Sequence, residues 1–176
     1  MEDQPGRILI FAGKGKGCTT SALGCALRAV GHGMRTLVIQ FVKRRRCGEH
    51  TAAERLAPDL EIRPMGTGFL QQNDSEAMEQ ARESAREALK AARDALESGR
   101  FELVVLDEVT FAISAGLLST EEVLKTLKAR QPGVHAILTG HSVPPELAKI
   151  ADTITEFKSV KHAFNQGTEA TRGLEF

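Results

Sequence analysis

Residues Ile8 to Val30 read ILIFAGKGKGCTTSALGCALRAV, and the succession of patterns in this stretch decides the fold. Ile8, Leu9, Ile10 and Phe11 form a short continuous apolar run, the pattern of a buried strand. A glycine-rich turn follows, Gly13-Lys14-Gly15-Lys16-Gly17-Cys18-Thr19-Thr20. Thr19 to Val30 then carries a helical pattern, with threonines able to cap its start and Gly31 just past its end. Strand, glycine turn and helix in that order place backbone N–H groups at a helix N-terminus, where a phosphate chain can be cradled.

The same alternation continues along the chain. Thr36 to Val42 reads as a second strand and Leu60 to Pro64 as a weaker third. Asp74 to Ser98 is the longest helical pattern, with Met78, Ala81, Ala85, Leu89, Ala92 and Leu96 on one stripe and Gly99 ending it. Phe101 to Leu106 is a strong strand running into Asp107-Glu108. Ser119 and Glu122 form a capping box that opens a helix through about Arg130. Val134 to Thr139 is a strand, Pro145 to Ala151 a short helix, and Thr153 to Phe157 a last strand. Strands alternating with helices predict an α/β fold with a mainly parallel central sheet flanked by helices. Neither repeat nor linker interrupts the pattern, so residues 1–176 are expected to form one domain.

Composition narrows the function. Lys plus Arg equals Asp plus Glu at 23 each, so no global field draws the chain to nucleic acid or an anionic membrane. No apolar run approaches the roughly 18 residues of a membrane span. The start, MEDQPGRILIFAG, lacks the basic and apolar regions of a signal peptide. Cys18, Cys25 and Cys47 make neither a CxxC pair nor an even disulfide framework. A cytoplasmic protein is expected.

The turn is a poor dinucleotide fingerprint, because the GxGxxG spacing fails at Cys18 and no acid ends the second strand. Against the phosphate-loop consensus GxxxxGK[ST], Gly17 and Thr19 fit, Cys18 stands at the lysine position, and Ala12 replaces the first glycine. Four apolar strand residues before Asp107-Glu108 match a Walker B arrangement. There one carboxylate organises Mg²⁺ (or Mn²⁺), and the next acts near the reacting centre. The alternative for such a pair is a solvated turn or helix start, but the upstream loop favours the metal role.

Further blocks carry a resemblance. They are Ala26-Leu27-Arg28-Ala29-Val30-Gly31-His32-Gly33, Gln40-Phe41-Val42-Lys43, Met65-Gly66-Thr67-Gly68-Phe69, and Val104 to Glu108. Leu138-Thr139-Gly140, Val160-Lys161-His162-Ala163-Phe164 and Gly173-Leu174-Glu175-Phe176 complete the series. In this order they resemble the P-loop ATP:corrinoid adenosyltransferases over nearly the whole chain. The resemblance implies a RecA-like sheet, usually in a homodimer, and transfer of the 5′-deoxyadenosyl group of ATP to a reduced Co(I) corrinoid. Triphosphate is released, in cobalamin synthesis or salvage, and a flavin-type reductase would supply the electrons. Carried over by position, Gly13, Lys14, Gly15, Lys16, Gly17, Cys18, Thr19 and Thr20 hold the triphosphate. Thr19 and Asp107 take the metal, Glu108 and Arg28 stand near the nucleotide, and Phe69 closes the lower corrinoid face.

Several positions depart from that pattern. Cys18 replaces the loop lysine, and a lost charge-assisted hydrogen bond weakens phosphate stabilisation about 10- to 150-fold. Lys14 or Lys16 is a candidate to make up the charge. The Cys18 thiol is either lowered in pKa by the helix N-terminus and neighbouring lysines, hence reactive, or simply a small filler. Phe69 is followed by Leu70-Gln71, where the family commonly has a second aromatic. The run Lys43-Arg44-Arg45-Arg46 reads as a solvated loop or as a site for triphosphate or corrinoid carboxylates. His141 stands where the family often has arginine. Two functions follow: an active adenosyltransferase, or a corrinoid- and nucleotide-binding relative that acts as carrier or regulator. A generic P-loop ATPase leaves the MGTGF and VKHAF blocks unexplained.

Overall fold

The computed structural model describes residues 5–68, 70 and 73–175. Six parallel strands form one sheet: β1 (Ile8–Ala12), β2 (Thr36–Gln40), β3 (Leu60–Pro64), β4 (Leu103–Asp107), β5 (His135–Gly140) and β6 (Thr153–Glu156). Their order is β3-β2-β4-β5-β1-β6. β5 therefore lies between β1, which feeds the glycine loop, and β4, which ends on Asp107. One strand interposed between loop strand and carboxylate strand is the RecA-like arrangement.

The four central strands β1, β2, β4 and β5 are covered on both faces and are apolar on both sides, whereas the edge strand β6 is exposed. Leu37, Ile39, Val104, Leu106 and Leu138 pack against α3 (Ser75–Ser98) and its neighbours, whereas Val38, Val105 and Ile137 face α1 (Cys18–Gly31). The α3 stripe is buried along Ala81, Ala85, Ala88, Leu89, Ala92, Ala95 and Leu96. Small alanines let the helix approach the sheet closely, while each buried leucine adds about 2 kcal/mol of apolar burial. Asp74 caps this helix by accepting from the amides of Glu76 and Ala77, both at 3.0 Å. Gly99 ends it in the left-handed region at φ 65°.

The Ser119–Glu122 capping box opens α5 (Thr120–Lys128) as the sequence predicts. Two short helices were not legible in the pattern: α2 (Gly48–Glu54), inside the basic run's loop, and α4 (Val109–Ser114), directly after Glu108. α2 starts because Cys47 and His50 bond one another, the His50 Nδ1 accepting the Cys47 amide at 2.9 Å. The start of α1 also differs from expectation. Gly17, not a threonine, occupies the cap position, with no side-chain cap. The Thr19 hydroxyl is spent on Asp107 instead, so the first-turn amides keep their donors for another acceptor.

Candidate active site

The C-terminal ends of β1, β4 and β5 converge under the glycine loop. There a cavity of about 500 Å³ is lined by residues 13–20 together with Lys43, Glu108, His141, His162 and Glu175. The loop is pinned from one side. Gly13 donates to the Gly140 carbonyl at 3.0 Å, Gly15 to the Phe157 carbonyl at 3.0 Å, and Phe157 back to Ala12 at 2.8 Å. Those two glycine amides are thus already used. Among the described residues, no backbone carbonyl takes the amides of Lys14, Lys16, Gly17, Cys18, Thr19 or Thr20. They form an anion seat of backbone donors at a helix N-terminus.

Gly13 sits at φ 140°, and a Cβ there would lie 2.3 Å from the Phe157 carbonyl oxygen. Gly13→Ala therefore meets both a strained backbone and a backbone neighbour that cannot yield. It should destabilise the chain by about 2 kcal/mol or more in urea unfolding. Nucleotide binding should be lost with it.

Asp107 is buried at 3% exposure and accepts three side-chain hydrogen bonds. Thr19 Oγ1 donates to Oδ1 at 2.8 Å, Thr139 Oγ1 to Oδ1 at 2.7 Å, and Gln40 Nε2 to Oδ2 at 3.2 Å. Burial raises its pKa, against the pull of these bonds. Gln40 and Thr139 were not singled out as site residues from the sequence. They arrive by register, since β2 places Gln40 beside Asp107, and β5 brings Thr139 to the same strand ends.

The relay continues to His50, and its direction is fixed. His50 Nδ1 accepts a peptide N–H, so Nε2 must carry the proton that goes to Gln40 Oε1 at 2.9 Å. The Gln40 amide group then has to face Asp107, which must accept. Cys47, Glu49 and His50 also hold metal-ligand atoms within 4.8 Å of one another. Both His50 nitrogens are engaged, however, and Glu49 is paired with Lys43, so the trio frames the loop. His50→Ala orphans Gln40 Oε1 and the Cys47 amide. It should cost about 1–3 kcal/mol in denaturant unfolding, with His50→Gln recovering part of the loss.

Glu108 follows at φ 63°, the one non-glycine residue with positive φ among those described. Its amide donates to Thr139 Oγ1 at 2.8 Å, which holds the strained turn. Burial, then the charge of Asp107, pushes its carboxyl up to about 7. Thr139 thus fixes both carboxylate carriers.

The structure places the remaining expected residues as follows. Cys18 lies in the apolar layer with Phe11 and Ala22 at 7% exposure. Burial and the charge of Glu108 raise its thiol pKa, so the reactive-thiolate expectation is corrected: desolvation and neighbouring acids outweigh the helix N-terminus. Lys16 pairs with Glu175, while Lys14 is exposed beside the cavity. Arg28 is not brought to the cavity. It is exposed in the last turn of α1, about 15 Å from Cys18 along the helix axis. The basic run divides. Arg46 turns to Glu54 and Lys43 to the loop cavity. Phe69 and Gln71 lie outside the described residues.

Topology, anion seat and paired carboxylates define a P-loop nucleotide-binding protein. The family model of the ATP:corrinoid adenosyltransferases BtuR/CobO/CobP matches residues 4–176. A corrinoid adenosyltransferase of Pseudomonas aeruginosa is 37% identical over 175 residues, covering 99% of this chain and 85% of that one. One from Escherichia coli K12 is 36% identical over 178 residues, covering 99% and 88%. One from Salmonella typhimurium is 35% identical, again covering 99% and 88%. The chain belongs to the ATP:corrinoid adenosyltransferase family, an enzyme family whose substrates are ATP and a corrinoid. Among the described residues, no helix is long and apolar enough to cross a membrane.

Proposed function

We propose that residues 1–176 act as one domain that moves the 5′-deoxyadenosyl group of ATP onto the Co(I) centre of a reduced corrinoid, in adenosylcobalamin synthesis or salvage. The cobalt lone pair attacks C5′, and the C5′–O bond breaks with its electrons leaving on triphosphate. Co(I) becomes Co(III) bonded to carbon. The protein supplies no nucleophile. It holds ATP so that C5′ faces cobalt and stabilises the leaving triphosphate.

The observation that carries this reading is the Thr19–Asp107 hydrogen bond of 2.8 Å beside uncommitted loop amides. The amides of residues 16–20 hold the phosphates. Thr19 and Asp107 offer hard oxygen donors, which suit Mg²⁺ or Mn²⁺. Such an ion would neutralise charge growing on the leaving group. The Thr19 hydroxyl can donate to Asp107 and still offer a lone pair. Gln40, His50 and Thr139 keep Asp107 aimed, and Glu108 orients the nucleotide at its reacting end. Co(I) must be generated by a low-potential donor, in this reading a flavin-type reductase. Assembly as a homodimer belongs to the same reading. The carrier alternative is not favoured, because the relatives named above are adenosyltransferases.

Phosphorus NMR of the products tests the reading. Intact triphosphate formed one-to-one with adenosylated corrinoid is expected. ADP and phosphate formed without corrinoid would instead make the chain an ATPase.

A further inference from the structure

We infer that Lys43 supplies the triphosphate-binding cation that this loop lacks at position 18; the inference rests on the proposed function and assigns a further residue to the same site. The loop's own candidates are poorly placed for that work. The Cys18 side chain is packed in the apolar layer. Lys16 is exposed and held by Glu175, and Lys14 is exposed, with no ion-pair partner among the described residues.

Lys43 differs on each count. It is half-buried and lines the same cavity as residues 13–20. Its backbone is fixed on three sides of the turn. Phe41 donates to the Asp107 carbonyl at 2.9 Å, Gly66 to the Lys43 carbonyl at 3.1 Å, and Gly68 to Val42 at 2.9 Å. Its ammonium is anchored by Glu49 Oε1 at 2.5 Å, on a carboxylate side chain only 17% exposed. An ammonium has three donors, so Lys43 can keep Glu49 and still donate to a phosphate oxygen.

Charge is secured as well. Burial works to lower the Lys43 pKa, but the hydrogen bond and charge of Glu49 more than offset it, and Asp107 adds to the same side. Positions 18 and 43 both line the loop cavity, one at the start of α1 and the other just past the end of β2. A cation arriving from β2 can therefore replace one that would have arrived from α1. Of the candidates the sequence offers, the run that begins at Lys43 is taken up by this assignment, and Lys14 and Lys16 are displaced.

The test is a double-mutant cycle of K43Q and C18K, with K43R as the charge-retaining control. Binding of inorganic tripolyphosphate with Mg²⁺ is read by calorimetry, and adenosyl transfer is read separately. K43Q is expected to weaken tripolyphosphate binding about 10- to 150-fold. K43R should stay within about tenfold of wild type, since charge is kept while the fork geometry changes. In the C18K background the K43Q penalty should shrink to about threefold or less, because the second cation now comes from the loop. The inference is overturned if K43Q binds within about threefold of wild type, or if its penalty is equally large with Lys at 18. It is also overturned if K43R binds as weakly as K43Q, which would mean that shape, not charge, is lost. Should the cycle behave as expected while no chain forms a cobalt–carbon bond, the assignment of Lys43 holds and the proposed reaction fails.

Discussion

Glu108→Gln should make the chain more stable above neutral pH while slowing it as an enzyme. The Glu108 carboxyl has a folded-state pKa of about 7 against an ordinary value of 4.5, because it is buried beside Asp107. Between those values the native state holds a proton that the unfolded chain has released. Its stabilising contribution is therefore complete below pH 4.5 and is lost as the pH climbs through 7. The interval corresponds to about 3 kcal/mol. Gln cannot ionise, so unfolding of Glu108→Gln should lose this slope and exceed wild type by about that amount at pH 8. Adenosyl transfer should fall about a hundredfold, the scale of removing one fixed electrostatic contact from a reacting centre. Urea titrations across pH, beside turnover, read both effects. Equal pH slopes in the two proteins would place Glu108 in solvent.

Asp107→Ala should be among the most damaging single changes at the site. The carboxylate receives Thr19, Thr139 and Gln40. Its removal leaves the last two donors buried with nothing to meet. Gln40 cannot turn its amide over to compensate, because His50 requires the carbonyl side. Two buried orphan donors at about 1–3 kcal/mol each put the loss near 3–5 kcal/mol. Asp107→Asn should lose far less, since its carbonyl can still accept from Gln40 while its amide faces the two hydroxyls. Both variants should lose metal-dependent transfer, because the anionic ligand is gone. The contrast between similar activity loss and dissimilar stability loss separates the two roles of Asp107.

The relation of sequence to structure differs across the site. Ile8 to Val30 was legible because strand, glycine turn and helix are local patterns, and Asp107-Glu108 was legible because an apolar strand announces them. Gln40, Thr139 and His50 gave no such signal. A polar residue at the end of an apolar strand becomes meaningful only when sheet order sets it beside another strand's end, and β2, β4 and β5 are far apart in the chain. His50 adds a second difficulty, since it lies beyond a basic run that reads as a loop. The threonines looked like helix caps, yet Asp107 across the sheet competes for Thr19. For Cys18 the sequence offered a reactive thiol or a small filler, and its burial agrees with the filler. Arg28 sits in a block of the family pattern, but ten residues of helix separate it from the loop.

The most direct measurement is anaerobic mixing of the wild-type chain with MgATP and Co(I) cobalamin, following cobalt–carbon bond formation by absorbance. Repeated turnover is predicted, with a rate that saturates in ATP, since Thr19, Asp107 and the loop amides are assembled despite Cys18. Nucleotide binding without any cobalt–carbon bond would contradict it, and would mean that the loop has kept its phosphate seat but not the reaction.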